Sequence, residues 1–178
     1  MNAHPSTLVI GYGNPGRQDD GLGPRAAEAV ELARLPGVDV LCDYQLNVEH
    51  ADDVRRHEVI VFIDAALAGA GPCFLRRLLP RACGAFSTHT MRPEAVLALA
   101  RDTFGWSGRA FLLGIRGYAF GDFGEDLSSA AAANLEQACA LLLTGLREGL
   151  LDAHVTGPPT YDSYTPCHGG EPCTKAST

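Results

Sequence analysis

The sequence lacks any long hydrophobic stretch. No apolar run approaches the roughly 20 residues that a membrane-spanning helix requires. The first residues, 1–6, contain neither the basic start nor the apolar core of a secretion signal, and we interpret them as a short leader. We therefore expect a cytoplasmic protein that has no membrane partner.

Basic residues are also fewer than acidic ones. Lys and Arg total 14 against 21 Asp and Glu, which gives a formal net charge of −7. A protein that binds the phosphate backbone of nucleic acids needs a basic face, so this balance argues against a nucleic-acid partner. The sequence contains neither a His-Glu-x-x-His zinc motif nor a Gly-x-Ser-x-Gly elbow, which removes two common routes to hydrolysis. A protein partner or a small ligand is expected instead.

A disulfide framework is absent as well. The cysteines are scattered through a chain without a secretion signal, and we interpret most of them as small buried hydrophobes: Cys42, Cys73, Cys83, Cys139, Cys167 and Cys173. The last two lie beside His168 among prolines and glycines. A structural zinc site needs four ligands, and this cluster lacks a second ligand pair.

The elements that are present alternate between strand and helix. With 178 residues the chain fits one domain, which we place at 7–150, followed by a Pro- and Gly-rich tail at 151–178 that we expect to be flexible. Apolar runs predict strands at 7–10, 38–42, 59–63, 73–79 and 111–115. Helices are predicted at 24–33, from Asn47 as the cap through 54, at 93–100, and from Ser128 as the cap through 147. This alternation predicts an α/β fold, with a mostly parallel twisted sheet of about five strands and helices on both faces. The segment 73–79 carries two arginines and is closed by Pro80, so we expect an edge strand there.

Three polar residues stand at the predicted carboxyl ends of strands or before a helix. Asp20 follows the first strand, Asp64 ends the strand 59–63, and His89 precedes the helix at 93. Ligand crevices of open α/β sheets lie beyond the carboxyl ends of the strands. Two carboxylates and one imidazole suit a borderline divalent ion such as nickel or zinc and leave an open position for substrate or water.

Each of these residues also has a structural interpretation. Asp20 and its neighbour Asp19 would favour a following helix through its dipole. Asp64 would cap a turn, although a charge after five apolar residues is costly unless it is paired, hydrogen-bonded or exposed in a cleft. His89 would be a surface turn residue, and Arg17 a solvated loop arginine. The remaining histidines are expected to be solvated: His4, His50, His57, His154 and His168.

A dinucleotide site is the main competing prediction. Residues Gly11 to Gly16 match the Gly-x-Gly-x-x-Gly fingerprint after a strand, and Asp43 ends the next strand, where a ribose-binding acid would lie. The fingerprint requires the glycines to open directly into a helix, whereas the predicted helix begins only at about Pro24. Asp19 and Asp20 would also place negative charge where the phosphates would lie. A dinucleotide-binding oxidoreductase is therefore kept as an alternative.

Two adjoining segments carry a family resemblance. Residues 8–15 read Leu-Val-Ile-Gly-Tyr-Gly-Asn-Pro and residues 19–23 read Asp-Asp-Gly-Leu-Gly. Together they resemble the opening signature of the nickel-iron hydrogenase maturation proteases. The resemblance continues through 61–65, 87–89 and 114–128, and it covers residues 7–147. The chain departs from the family pattern at two places. Many members carry a bulkier residue at the position of Gly16, and the segment 43–49 also differs.

The resemblance implies an endopeptidase that removes the C-terminal extension of a hydrogenase large-subunit precursor after nickel insertion. It implies that three residues contact the nickel: Asp20, Asp64 and His89. The position of Asp20 is Glu in some members of the family. The metal would be supplied by the substrate, and no organic cofactor is implied. A non-catalytic assembly chaperone of the same fold is a further alternative.

Two mechanisms are compatible with this resemblance. In one, the metal polarises the scissile carbonyl or lowers the pKa of a bound water; in the other, it only docks the substrate while a carboxylate acts as general base. Backbone amides of the glycine-rich loops at 11–16 or 21–23 would stabilise the oxyanion.

Overall fold

The structure, a computed structural model, describes residues 5–69, 71–82 and 91–156. The strands within these ranges are β1 (Thr7–Tyr12), β2 (Val38–Asp43), β3 (Val59–Ala66), β4 (Cys73–Leu78) and β5 (Arg109–Arg116). The helices are α1 (Leu22–Leu32), α2 (His50–Val54), α3 (Pro93–Phe104) and α4 (Ser129–Glu148), with short 3-10 helices at Gln18–Gly21 and Leu151–His154. The predicted order of strands and helices is confirmed. No helix in the described ranges has the length and apolarity needed to cross a membrane.

The strands form one sheet in the order β2-β1-β3-β5-β4. Neighbouring strands run parallel, except that β4 pairs antiparallel with β5 at one edge. β1 and β3 are buried along their whole length, as expected for central strands covered on both faces, which is why they appear in the sequence as continuous apolar runs. The mostly parallel sheet and the edge position of the 73–79 segment are both confirmed.

Helices cover both faces of the sheet. Side chains alternate along each strand, so Leu8, Ile10 and Tyr12 of β1 contribute to the core beneath α2 and α3. Val9 and Ile63 contribute to the second core, beneath α1 and α4. The predicted three-layer arrangement is therefore confirmed.

Two helix starts differ from the sequence prediction. α1 begins at Leu22 rather than at Pro24, because the preceding 3-10 helix leads directly into it. Asn47 does not cap α2, which begins at His50. Its side-chain oxygen instead accepts the Glu49 N–H at 2.9 Å, in the local turn that Asn side chains favour.

The first part of the predicted tail is described. Leu151–His154 forms a 3-10 helix, and the Thr156 N–H donates to a β4 carbonyl at 2.8 Å, which fixes the chain at the edge of the sheet. The remaining residues, 157–178, lie outside the described ranges, and with them the Cys167 and Cys173 cluster.

The expected burial of the cysteines holds only in part. Cys42 is exposed, because it lies near the end of the edge strand β2, and Cys73 and Cys139 are half-buried. Cys83 lies outside the described residues. Partial removal from water raises the pKa of each of the three described thiols, and the charges of Glu31 and Glu28 raise that of Cys42 further, which makes all three poor nucleophiles.

Candidate functional site

A row of residues crosses the sheet near the carboxyl ends of the parallel strands. Asp43 of β2 pairs with Tyr12 of β1. Asp64 of β3 pairs with Gly114 of β5, which pairs in turn with Phe74 on the edge strand. The register between β1 and β3 places Tyr12 beside Asp64, on the face covered by α2 and α3. The row thus brings polar groups to the edge where ligands bind in such sheets.

Asp64 is fully buried within β3. The strand continues to Ala66, so Asp64 lies inside it rather than at its last position as the sequence predicted. Its Oδ1 accepts the Ala65 N–H at 2.7 Å. Burial raises the pKa of the Asp64 carboxyl well above its ordinary value, and the nearby negative charge of Asp20 raises it further. Hydrogen bonds from Ala65 and from the Tyr12 hydroxyl act in the opposite direction.

A phenyl ring occupies the space that Gly114 leaves open. A Cβ at position 114 would lie 2.1 Å from the nearest atom of the Phe74 ring, so only glycine admits the ring there. Phe74 thus packs on the residue that neighbours Asp64 in the row. The Arg76 guanidinium lies over the outer face of this ring, 4.5 Å from its centroid. An apolar ring at this place helps to keep water from the carboxylate, which favours its neutral form.

Asp20 reaches the same edge from the loop after β1. The 3-10 helix Gln18–Gly21 carries it, it is only 5% exposed, and its Oδ2 accepts the Asn14 N–H at 3.0 Å. Gly13 has a φ of +137°, and a Cβ there would lie 2.1 Å from the Asp20 carbonyl oxygen. Glycine therefore lets the loop close tightly on itself, as expected from the sequence. The negative charge of Asp20 makes a minor contribution to the raised pKa of Asp64, so the two carboxylates lie near one another at this edge of the sheet.

The start of α1 lies directly on the strand ends. A Cβ on Gly23 would lie 2.3 Å from the Tyr12 carbonyl oxygen and 2.6 Å from that of Ile63. Gly11 on β1 likewise leaves no room for a Cβ against the Gly23 carbonyl. These backbone contacts fix the position of the Asp20 loop relative to β1 and β3.

Asp19 has a structural role beside the site that its sequence context did not reveal. Its fully buried carboxylate accepts the N–H groups of Tyr118, Ala119 and Ser128 and the Ser128 hydroxyl, at 2.7 to 2.8 Å. Burial alone would raise the pKa of Asp19, but these hydrogen bonds outweigh it, and the pKa lies below its ordinary value. The adjacent acid pair was visible in the sequence, whereas the partners lie 99 to 109 residues away. Local patterns therefore could not identify them.

Two histidines differ from expectation, and the predicted site histidine is not among the described residues. His89, the third residue of the predicted set, lies within 83–90, outside the described residues. His50 is only 5% exposed rather than solvated, because α2 packs against the sheet. Its Nδ1 accepts the Asn47 N–H at 3.1 Å, and its Nε2 lies 3.7 Å from an oxygen of Asp43. The His57 side chain is also largely buried, at 10% exposed.

The first glycine-rich loop uses its own amides internally. The N–H groups of Gly13, Asn14 and Gly16 donate to the Asp43 carbonyl, the Asp20 carboxylate and the Asn14 side chain, respectively. These amides are thus engaged and are not oriented toward a ligand. The same loop runs into a 3-10 helix that carries two acidic residues before α1 begins, which disfavours a dinucleotide pyrophosphate at this place.

The chemistry available at this edge is that of two buried carboxylates. One of them, Asp64, has a raised pKa, and the other, Asp20, is close enough to influence it. Such a pair suits metal ligation or proton transfer. Among the described residues, no group of three or more His, Cys, Asp or Glu side chains is arranged to hold a metal ion.

Sequence comparisons agree with this interpretation. No protein-family model matches the chain. The chain is 31% identical over 152 residues to the hydrogenase expression/formation protein HupM of Azotobacter chroococcum mcd 1, in an alignment that covers 81% of this chain and 73% of that protein. It is 32% identical over 135 residues to HupD of Thiocapsa roseopersicina, which carries the same description, and there the alignment covers 71% of this chain but only 61% of the relative's length.

Solved structures have the same fold. The hydrogenase maturating endopeptidase HybD from E. coli superposes with a TM-score of 0.64 at 23% identity, over 80% of this chain and 93% of that one. The hydrogenase 2 maturation peptidase from a Thaumarchaeota archaeon has a TM-score of 0.59 at 25% identity, over 81% of this chain and 98% of that one.

Proposed function

Because this chain belongs to the family of hydrogenase maturation proteases, we propose that it is an endopeptidase that removes the C-terminal extension of a nickel-iron hydrogenase large-subunit precursor after nickel insertion. The observation that supports this most directly is the presence of two buried carboxylates, Asp20 and Asp64, near the carboxyl edge of the sheet. The free thiols of the described cysteines are compatible with a reducing compartment, and the proposed location is the cytoplasm.

We assign the recognition of the substrate's nickel to Asp20, Asp64 and His89. Carboxylate and imidazole groups are suitable ligands for a borderline divalent ion. The buried position of Asp64 fits this role, because a cation held beside it would stabilise its ionised form against the burial that raises its pKa. Nickel held there would polarise the scissile carbonyl or acidify a water.

The residues of this chain contribute to cleavage in two further ways. If the metal only docks the substrate, Asp64 is the better general base, because its raised pKa makes it more basic than an ordinary carboxylate. The amides of Gly21 and Gly23 at the start of α1 are the remaining candidates for oxyanion stabilisation, since the amides of the 11–16 loop and the Leu22 N–H already donate elsewhere.

Mass spectrometry of the processed precursor tests this function. A nickel-loaded large-subunit precursor is incubated with the protein, with Asp64→Asn and with Asp20→Asn, and a nickel-free precursor serves as substrate control. We expect loss of C-terminal mass only with nickel and only with the unaltered site. Asp52→Asn, at an exposed ion pair with Arg55 and Arg56, is the matched control and should cleave normally.

Two results would contradict the proposal. Cleavage of the precursor by both site variants would remove Asp20 and Asp64 from the mechanism. Binding of the precursor without cleavage under any condition would instead indicate an assembly chaperone of the same fold.

A further inference from the structure

The loop between β5 and α4, residues 117–128, presents an exposed aromatic side chain among acidic ones. Phe123 is 92% exposed, and Tyr118 on the same loop is 55% exposed. Asp122, Glu125 and Asp126 are exposed too, and none of them forms an ion pair with any residue in the described ranges. We refer to residues 117–128 as the β5–α4 loop.

This loop is held firmly in place. Asp19 accepts four hydrogen bonds from it. The Gln18 N–H donates to the Gly124 carbonyl at 2.7 Å, and the Gly124 N–H donates to the Gly16 carbonyl at 2.9 Å. The Arg25 guanidinium donates to the Glu125 carbonyl at 2.5 Å. The exposure of Phe123 is therefore a property of an anchored loop and not of a loose one.

The loop also borders the proposed site. Asp19 holds it, and Asp20 is the next residue along the chain. Arg116 connects it to the neighbouring loop after β3, because the guanidinium lies 5.5 Å from the Tyr118 ring centroid and donates to the Gly69 carbonyl at 3.4 Å. Exposed aromatic side chains and arginines are the residue types that dominate binding energy at protein interfaces.

We propose that the β5–α4 loop is a docking platform for the folded body of the protein substrate, with Phe123 entering an apolar pocket bordered by basic side chains. The proposal rests on the proposed function, which supplies a protein substrate at the adjacent site. The protein would thus recognise a folded surface of its substrate in addition to the peptide that it cuts.

Charge identifies the occupant. Asp122, Glu125 and Asp126 lie on the same loop as Phe123 and form no ion pair within the described ranges, and the exposed Arg17 donates to the Phe120 carbonyl of that loop. A basic surface is complementary to this arrangement. A second copy of this chain is not, because each copy carries a net charge of −7, and nucleic acids and anionic membranes are repelled for the same reason.

Steady-state cleavage of the nickel-loaded precursor tests the platform. Phe123→Ser should raise KM by about 30-fold and leave kcat unchanged, the loss typical of an aromatic hot spot that acts only in docking. Leu32→Ser is the matched control, because Leu32 is 76% exposed at the C-terminal end of α1, far from the loop, and its KM should not change. Circular dichroism of both variants verifies that the fold is intact.

A second arm tests the charges. Replacing Asp122, Glu125 and Asp126 by their amides should raise KM at low salt and weaken the dependence of KM on ionic strength. An unchanged KM in both the Phe123 and the amide variants, with a wild-type protein that cleaves, would overturn the platform and leave the proposed function standing.

Binding separates the two proposals when cleavage is absent. In the Asp64→Asn background, loss of one nickel ligand should weaken binding of the precursor without abolishing it, and Phe123→Ser should weaken the remaining binding by the same factor of about 30. If Phe123→Ser instead converts a dimer to a monomer without changing precursor binding, the loop is a contact between copies and the proposal is wrong.

Discussion

Removal of the Asp19 carboxylate should lower the free energy of unfolding far more than the loss of a few side-chain atoms suggests. Asp19→Ala leaves three part-buried N–H groups and one hydroxyl of the β5–α4 loop without their acceptor. A hydrogen bond to a charged group contributes about 1.5–3 kcal/mol, and the four are not additive, so we expect a loss of about 4 kcal/mol in the free energy of unfolding. For a chain of this length, that corresponds to a fall in Tm of about 8–16 °C.

The isosteric variant separates charge from volume. In Asp19→Asn, the side-chain oxygen can face the three donors at Oδ2, whereas the amide nitrogen opposes the Ser128 N–H, and we expect a loss of about 2 kcal/mol. Urea unfolding at pH 7 measures both variants. Asp52→Ala, at an exposed ion pair, serves as control and should unfold like the wild type.

The pH dependence provides an independent check on this reasoning. The folded-state pKa of Asp19 is depressed, so its contribution is present above the unfolded aspartate value of about 3.9 and is lost as the pH falls through the folded value. The stability gap between wild type and Asp19→Asn should therefore close only under strongly acidic conditions. A gap below about 1 kcal/mol at pH 7 would refute the reasoning, because it would mean that water satisfies the loop donors equally well.

Two further predictions concern the neighbouring residues. Gly23→Ala should lower the free energy of unfolding in urea by about 3 kcal/mol, because its Cβ would collide with two strand carbonyls. Gly121→Ala is the control and should be nearly neutral, because the space around Gly121 is open. Equal effects of the two substitutions would contradict the close approach of Gly23 to the strands. In the metal-free protein, Asp64→Asn should raise the Tm at neutral pH, because the raised pKa of Asp64 makes ionisation cost stability as the pH rises above its unfolded value. The gain should vanish below about pH 4, and an Asp64→Asn protein less stable than wild type at neutral pH would contradict this.

Much of the fold follows from local sequence patterns. β1 and β3 are continuous apolar runs because they are covered on both faces, and the edge strand is recognisable from its charges and the following proline. Pro93 at the first turn of α3 and Ser128 as the cap of α4 lie where helix-start chemistry places them. These features depend on residues close together in the chain.

The parts that were missed depend on distant residues. Asp19 has its partners in the β5–α4 loop, and the burial of Asp64 depends on strand neighbours such as Tyr12. His50 becomes buried only when α2 packs against the sheet. Residue type and position predicted Asp20 and Asp64 as members of one site, whereas the approach of Asp20 to Asp64 depends on how the loop after β1 packs on the strand ends.

The Phe74 ring on Gly114 has an evolutionary consequence. The two positions occupy one volume, contributed by strands far apart in the chain, so neither can change in size alone. Among functional relatives, a larger residue at 114 should therefore occur together with a smaller one at 74. Positions 74 and 114 should therefore be among the most strongly covarying pairs in the neighbourhood of Asp64.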